Sequence, residues 1–343
     1  MRRVSLPLFA TIVAALLLAA CGDDGDVPPA TPTSAPTSAP VAALPTVAVA
    51  STAKASVVAA TQPSTAACAF PKDGLGKTTV LSLTSGGLVR EFRLHLPPTE
   101  VEARNGPVVL NFHGLGSNML DQEIYSGLVP ISEREGFVLV TPNGTGATRG
   151  WQASAELPAS VDDVQFVRDL LAALTRDYCI DTTATYSTGM SNGAFMSSRL
   201  ACVLATRITA AAPVAGVYFP QEGCIGRTAI LAFHGTDDGV VPFEPGLIFS
   251  VLPYAGARKG VAGWAAYNGC APTPSKEDRL SDHVTRLDYG QCGGGADTSL
   301  VVVEGGGHTW PGAVDIPRLG ETTKEVSAAE MIWAFFKAHP AGQ

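Results

Sequence analysis

The stretch TGMSNG, residues 188–193, has a serine at its centre between two glycines. In the pattern Gly-x-Ser-x-Gly the serine lies on a sharp turn between a strand and a helix, and the small residues on either side make room for that turn. Here a predicted strand, ATYST, ends at the motif and a helical pattern begins at Asn192. The motif is short and the chain is rich in glycine, so this strand-to-helix position is what identifies Ser191 as a candidate nucleophile.

A serine hydroxyl needs a base to become a nucleophile. His234, His283, His308 and His339 follow Ser191 in the chain. His308 lies in EGGGHTWPG, directly after an apolar run, where glycines allow a loop to carry the imidazole toward the serine. We therefore predict His308 as the base, and we predict that His234, at the end of another apolar run, braces a turn.

The acid that orients this imidazole and stabilises its cation is expected on a loop after a buried strand. HGTDDGVVP, residues 234–242, offers two candidates, Asp237 and Asp238. One carboxylate suits the acid role, and the other could cap the turn through the backbone. The residues alone do not separate the two.

Backbone N–H groups must also stabilise the oxyanion that forms when the serine attacks a carbonyl. Asn192 offers one such group at the start of its helix. Leu115, in NFHGLGSN after another apolar run, offers the second, because Gly114 and Gly116 let the backbone of that loop converge on the site. We predict the N–H groups of Leu115 and Asn192 as the oxyanion hole.

Strand and helix patterns alternate around these residues and predict an α/β fold with a mostly parallel central sheet covered by helices on both faces. In such sheets the working residues gather at the carboxyl ends of the strands. A hairpin is predicted at 80–84 and 88–96, and buried strands are predicted at 107–112, 136–141, 184–188, 229–234 and 299–304. Helices are predicted at 160–174 with Ser160 as N-cap, 192–204, 261–267 and 328–338.

The first part of the chain has the composition of a targeting segment. Arg2 and Arg3 precede an apolar stretch that closes at LAAC, which is typical of a lipoprotein signal peptide over residues 1–20 with Cys21 as the lipidated residue. Residues 21–66 are rich in Pro, Thr, Ser and Ala and predict a disordered tether. Residues 67–343 are predicted as one catalytic domain. The predicted location is the cell envelope, through the lipid anchor, or the extracellular space.

The formal net charge is −8 and no basic run follows Arg3, which argues against nucleic acid as a partner. Besides Cys21 the chain has Cys68, Cys179, Cys202, Cys224, Cys270 and Cys292, an even set that predicts three disulfides in an exported protein. Neither the cysteines nor the histidines have metal-ligand spacing, so no metal or cofactor is expected. The membrane is expected as a partner only through the lipid anchor, and the chain is expected to be a monomer.

Together, HGLGSN, SVDDVQFVRDLL, GMSNGAFMSSRLAC, HGTDDGVVP and GGGHTWPG resemble the polyhydroxybutyrate depolymerase and feruloyl esterase group of α/β-hydrolases, carbohydrate esterase family 1, over residues 107–312. The resemblance implies an α/β-hydrolase fold and Asp238 as the acid. It also implies the disulfides Cys202–Cys224, Cys270–Cys292 and Cys68–Cys179. Leu115 and Ala194 depart from residues that are frequent in the family, which could reshape the acyl pocket.

The activity that the resemblance implies is ester hydrolysis through an acyl-enzyme, on feruloyl esters of plant polysaccharide or on polyhydroxyalkanoate-type polyester. Acetyl-xylan or general short-chain esters, a peptidase activity, or a non-catalytic surface lipoprotein are the alternatives. Trp310 and Trp151 are candidate aromatic walls for the substrate, with ordinary packing as the alternative for each.

Overall fold

The computed structural model describes residues 70–154, 161–220 and 223–341. The predicted signal peptide, the lipidation site Cys21 and the tether of residues 21–66 lie outside the described residues, as do Cys68 and Ser160. The described ranges belong to one compact unit of the chain, Cys68–Gln343. Within those ranges, no helix combines the length and apolar character that crossing a membrane requires.

Short apolar runs form most of the strands, as expected for strands that are buried on both faces. The strands are β1 (Thr78–Ser85), β2 (Leu88–His95), β3 (Val108–Phe112), β4 (Val138–Pro142), β5 (Thr185–Met190), β6 (Ile208–Val214), β7 (Ala229–Gly235), β8 (Gly246–Ile248), β9 (Leu252–Tyr254), β10 (Lys276–Arg279), β11 (Val284–Tyr289) and β12 (Thr298–Val303). All the strands predicted from the sequence are present, and β6 and β8–β11 are additional to that prediction.

A single sheet contains all of these strands except β8 and β9, in the order β1-β2-β4-β3-β5-β6-β7-β12-β11-β10. The central strands from β4 to β12 run parallel to their neighbours. At one edge β1 and β2 pair antiparallel, and at the other β11 and β10 do so. The sheet is therefore mixed, with the parallel core that was predicted, and β8 and β9 form a separate antiparallel hairpin.

Helices cover both faces of the sheet. They are α1 (Glu100–Asn105), α2 (Met119–Ser126), α3 (Val129–Glu135), α4 (Asp163–Tyr178), α5 (Asn192–Val203), α6 (Ala257–Tyr267) and α7 (Ala328–Ala338). In β3, Val108 and Leu110 pack into the core under α4, α5 and α6, whereas Val109 packs into the core under α3 and α7. This alternation follows from the two-residue period of a strand.

The start of α4 differs from the sequence prediction. Asp162, not Ser160, is the N-cap, and its side chain accepts a hydrogen bond from the backbone N–H of Gln165 at 2.9 Å. An aspartate at this position satisfies a free N–H group and complements the positive end of the helix dipole. The helix begins at Asp163, whose side chain therefore points from the first turn into the protein, where it is buried.

Two of the implied disulfides are present in the structure, Cys202–Cys224 and Cys270–Cys292. The first ties the end of α5 to the connection between β6 and β7, and the second ties the end of α6 to the loop before β12. Cys179 is also disulfide-bonded. Its implied partner, Cys68, lies outside the described residues, so that pairing stays a prediction.

Candidate active site

The strand-to-helix turn at Ser191 has the strained geometry that a nucleophile turn requires. Ser191 has φ 57° and ψ −119°, a conformation that non-glycine residues rarely adopt. Its backbone N–H donates to Val214 O at 2.9 Å, which fixes the turn against β6. A Cβ atom at Gly193 would overlap the carbonyl of Phe112, so only glycine fits where α5 crosses the end of β3.

The carboxyl ends of neighbouring strands bring the remaining groups to the same edge of the sheet. Ser191 follows β5, Asp238 follows β7 and His308 follows β12, and these strands lie side by side with β6 between β5 and β7. His308 Nδ1 lies 2.7 Å from Asp238 Oδ2. Asp237 is exposed and accepts only from its neighbour Thr236, so Asp238 is the residue placed for the acid role.

Contacts to both carboxylate oxygens hold Asp238 in one orientation. Its Oδ1 accepts hydrogen bonds from the backbone N–H groups of Val240 and Val241 at 2.9 and 2.8 Å. Burial alone raises the pKa of this carboxyl, but the imidazoles of His234 and His308, which face it, outweigh burial and hold the pKa well below its usual range. The acid is therefore ionised at neutral pH.

His234 braces the turn that carries Asp238, as predicted. Its Nε2 lies 2.8 Å from Val241 O and 3.4 Å from Asp238 Oδ2. The ring stacks on Tyr254, whose hydroxyl donates to Val217 O at 2.7 Å. Tyr254, at the end of β9, is a member of the site that the sequence did not reveal, since no short motif marks it.

Close backbone packing holds the loop that carries His308. The His308 N–H donates to Leu319 O at 2.7 Å. A Cβ atom at Gly235 would overlap the carbonyl of Gly306, and one at Gly307 would overlap that of Leu319. The glycines before His308 were predicted to let the loop extend toward the serine. The structure shows that they let the backbones at residues 235, 306–307 and 319 approach one another.

The loop at Leu115 lies against the nucleophile. A Cβ atom on Gly114 would lie 3.4 Å from Cβ of Ser191. Among the described residues the N–H of Leu115 has no hydrogen-bond acceptor, and the N–H of Asn192, the first residue of α5, has none within its helix. Both N–H groups that were predicted as oxyanion donors therefore have no acceptor among the described residues.

His113 anchors this loop from beneath. Its Nε2 accepts the N–H of Gly144 at 2.9 Å, so its other nitrogen, Nδ1, carries the proton and donates to Gly114 O at 2.8 Å. Burial lowers the pKa of this imidazole to about 4. His113 is therefore a neutral structural group at neutral pH.

The two predicted tryptophans have different surroundings. Trp151 is 6% exposed, packs edge-on against Phe112 and donates its indole N–H to His113 O at 2.9 Å, as the packing alternative expects. Trp310 is also buried, but it borders a cavity of about 390 Å³ whose other walls include Ile124, Tyr125 and Val314.

Ser191 Oγ forms no hydrogen bond to any described residue, so the contact with His308 that proton transfer requires is not made in this structure. Such contacts are often long in enzymes without substrate and shorten in the reacting complex. No group of His, Cys, Asp or Glu side chains in the described ranges is arranged to ligate a metal ion. The fold and the site together define the class of α/β-hydrolases that use a serine nucleophile.

Comparison with known proteins agrees with this class. No protein-family model matches the chain. Feruloyl esterase D from Neurospora crassa is 29% identical over 265 residues, covering 71% of this chain and 83% of that protein. Feruloyl esterase B from Piromyces equi is 30% identical over 214 residues, covering 59% of this chain but 39% of that protein. Acetyl xylan esterase from Aspergillus awamori, a solved structure, has a TM-score of 0.54 at 16% identity, covers 75% of this chain and 99% of its own, and so shares the fold.

By sequence the chain is similar to feruloyl esterases, and it is a carboxylic ester hydrolase with the α/β-hydrolase fold.

Proposed function

We propose that this protein hydrolyses feruloyl and related hydroxycinnamoyl esters of plant polysaccharide through an acyl-enzyme formed on Ser191. The observation that carries the mechanism is the contact between His308 and Asp238 at the same sheet edge as the strained Ser191 turn. The similarity to curated feruloyl esterases supports the acyl group.

In the first half of the reaction, His308 removes the proton of Ser191 as Oγ attacks the ester carbonyl. The N–H groups of Leu115 and Asn192 bind the oxyanion of the tetrahedral intermediate, and loss of one such donor typically lowers the rate about 10²- to 10³-fold. Asp238 stabilises the imidazolium that has formed. His308 then protonates the alcohol, which leaves, and the feruloyl group stays on Ser191 as an ester.

In the second half, His308 takes a proton from water, whose oxygen attacks the acyl-enzyme. The same N–H groups bind the second oxyanion, and His308 returns the proton to Ser191 Oγ as the carboxylic acid leaves. Each step moves one proton between His308 and an oxygen atom, so Ser191, His308 and water balance the reaction without a cofactor.

Of the two tryptophans that were candidates for substrate contact, Trp310 is the one we assign to the substrate side. It follows His308 by two residues and borders the cavity with Tyr125 and Val314. The lining of this cavity is mixed polar and apolar, and the aromatic rings of Trp310 and Tyr125 in it suit a hydroxycinnamoyl ring or a polyester chain. The backbone N–H of Trp310 donates to the Tyr125 hydroxyl at 3.4 Å, which ties the loop of the base to this cavity.

A covalent fluorophosphonate probe tests the nucleophile. We expect labelling at Ser191 in the wild type and none in Ser191→Ala, which should also lose turnover of methyl ferulate. Ser198→Ala is the matched control, because Ser198 lies on the same helix and its hydroxyl only donates to Ala194 O. An unlabelled wild type would support the alternative of a non-catalytic binding protein.

Parallel assays on methyl ferulate, acetylated xylan, polyhydroxybutyrate and a feruloyl amide test the acyl group and the bond. We expect the highest kcat/KM on methyl ferulate. A preference for the acetyl ester or the polyester would replace the proposed substrate, and turnover of the amide at a comparable rate would indicate a peptidase.

We further propose that the protein is exported and anchored through lipidated Cys21, with residues 21–66 as a spacer that holds domain 67–343 away from the membrane. Incorporation of a labelled fatty acid in the producing cell, lost in Cys21→Ala, is the expected result. An unlabelled wild-type protein released in full to the medium would contradict the anchor.

A further inference from the structure

Residues 150–153 lie outside the helices and strands, and we call them the clamped segment. Gly150 pairs with the backbone of Thr145, and side chains from several elements bind the backbone of residues 151–153. The side-chain amide of Asn192 makes two bonds to one residue of this segment. Its Oδ1 accepts the N–H of Trp151 at 2.7 Å, and its Nδ2 donates to Trp151 O at 3.1 Å. Because both bonds use opposite ends of the amide, they fix the orientation of the Asn192 side chain.

The next residues of the clamped segment are held in the same way. The N–H of Gln152 donates to Asp163 Oδ2 at 2.7 Å, and Arg199 donates to Gln152 O at 2.6 Å. The hydroxyl of Tyr218 donates to Ala153 O. Buried backbone N–H and C=O groups need hydrogen-bond partners. Side chains supply these partners here instead of a neighbouring strand, so the position of the segment depends on those side chains.

Asp163 is itself held by a buried ion pair. Its Oδ1 lies 2.7 Å from Arg90, and the two side chains are 2% and 1% exposed. The Arg90 guanidinium lies 3.9 Å over the ring of Phe166. Removing two charges from water costs free energy, and their mutual attraction often does no more than offset that cost. A buried ion pair is therefore weak evidence for added stability, and the Arg90–Asp163 pair is better explained by the orientation that it gives to Asp163.

On its other side the clamped segment contacts both predicted oxyanion donors. The indole N–H of Trp151 donates to the carbonyl of His113, in the loop of Leu115. A Cβ atom on Gly150 would lie 2.6 Å from Leu115 Cδ1 and 3.1 Å from Asn192 Oδ1. One short segment therefore joins the two backbones whose N–H groups must converge on the same oxygen.

We infer that the side chains of Asn192 and Asp163 are positioning residues that align the oxyanion hole through the clamped segment. Asn192 thus has two roles, an N–H donor on its backbone and a clamp on its side chain. This inference rests on the proposed esterase function. Its physical basis is that donors fixed in advance stabilise a developing charge, whereas a displacement of about 1 Å can cost on the order of 10² in rate.

The test uses Asn192→Ala and Asp163→Asn in the full-length protein. Both keep every backbone N–H group but loosen the clamp. We expect kcat on methyl ferulate to fall about 10- to 100-fold with KM changed less than about 3-fold, because substrate is bound before the oxyanion forms. A trifluoromethyl ketone, whose adduct with serine carries an oxyanion, should bind more weakly by the same factor, while ferulic acid should bind as in the wild type.

Asn268→Ala is the matched control. Its buried amide donates to Thr228 O and Thr298 Oγ1 at the opposite, amino-terminal end of β7 and β12. It should lower the melting temperature without changing kcat or ketone affinity. If either clamp variant fails to fold, Trp151→Phe, which removes the indole N–H bond to His113 and part of the ring but keeps an aromatic side chain, provides a second comparison.

A clamp variant that folds and keeps kcat and ketone affinity within about 2-fold of the wild type overturns the positioning role alone, provided that the wild type hydrolyses the ester. A wild type that neither labels with fluorophosphonate nor hydrolyses esters overturns the proposed function and this inference together. A parallel loss of kcat and ketone affinity, with Asn268→Ala unaffected, supports the positioning role.

Discussion

Oδ2 of Asp238 lies 2.7 Å from Nδ1 of His308, although 70 residues separate the two in the chain. The other oxygen of Asp238 is bound to backbone N–H groups, so the carboxylate has no freedom to turn away. This bond requires the proton of neutral His308 to be on Nδ1 and leaves Nε2 as the basic atom. In the proposed mechanism, Nε2 is therefore the nitrogen that would accept the proton of Ser191.

Substitutions should distinguish the roles of the two neighbouring aspartates, Asp237 and Asp238, by their effects on kcat. We expect Asp238→Asn to lower kcat on the order of 10³- to 10⁴-fold at neutral pH, because an amide favours the wrong imidazole tautomer. Asp237→Asn should keep kcat within about 2-fold, since Asp237 is exposed. Steady-state kinetics on methyl ferulate checks both, and equal losses in the two variants would contradict the assignment.

The buried His113 should make stability depend on pH. Burial lowers its pKa from 6.5 to about 4, so between these values the unfolded chain binds a proton that the folded protein does not. Stability from this group is therefore complete above pH 6.5 and is lost as the pH falls toward 4, by up to about 3 kcal/mol.

Urea unfolding from pH 7 to pH 4 measures this effect. The free energy of unfolding should fall more steeply with acid in the wild type than in His113→Asn, which has no imidazole to protonate at this position. Curves of equal slope in the two proteins would show that His113 is protonated equally in the folded and unfolded states.

The disulfide Cys202–Cys224 should contribute stability rather than activity. It closes a separation of 22 residues at the end of α5, far along the helix from Ser191. By loop entropy its loss should cost about 3 kcal/mol. We expect Cys202→Ala/Cys224→Ala to unfold at lower temperature, measured by calorimetry, with kcat retained below the transition. A loss of kcat in the folded variant would mean that this bond also positions the nucleophile helix.

The sequence was sufficient to predict the parts of this molecule in which residue type determines structure. The buried central strands β3, β4, β7 and β12 are mostly apolar runs, and β5 leads into the candidate nucleophile motif. In contrast, β6 has the sequence ITAAAPV, where alanine and proline give no strand preference, and only its neighbours β5 and β7 place it in the sheet. Pairing with β5 and β7, and not local sequence preference, therefore makes this segment a strand.

The sequence likewise indicated some parts of the candidate site and not others. A candidate nucleophile, base and oxyanion loop could be proposed from the sequence because their chemistry restricts residue type. The clamp between Asn192 and Trp151 was not, since it depends on which backbone groups lack partners in the folded chain. The burial of Trp151 also depends on the folded chain, and its aromatic side chain alone had suggested a wall of the substrate site.

The cavity beside Trp310 should determine preference for the acyl group. Val314 borders it and is 67% exposed, so a charge there is tolerated by the fold but opposes an apolar ring. We expect Val314→Asp to raise KM for methyl ferulate about 10-fold, which corresponds to about 1.4 kcal/mol of binding free energy, with little change for an acetyl ester. Val89→Asp is the matched control, because Val89 is 72% exposed on β2 at the hairpin end of the sheet. Equal effects of Val314→Asp on both esters would place the acyl group outside this cavity.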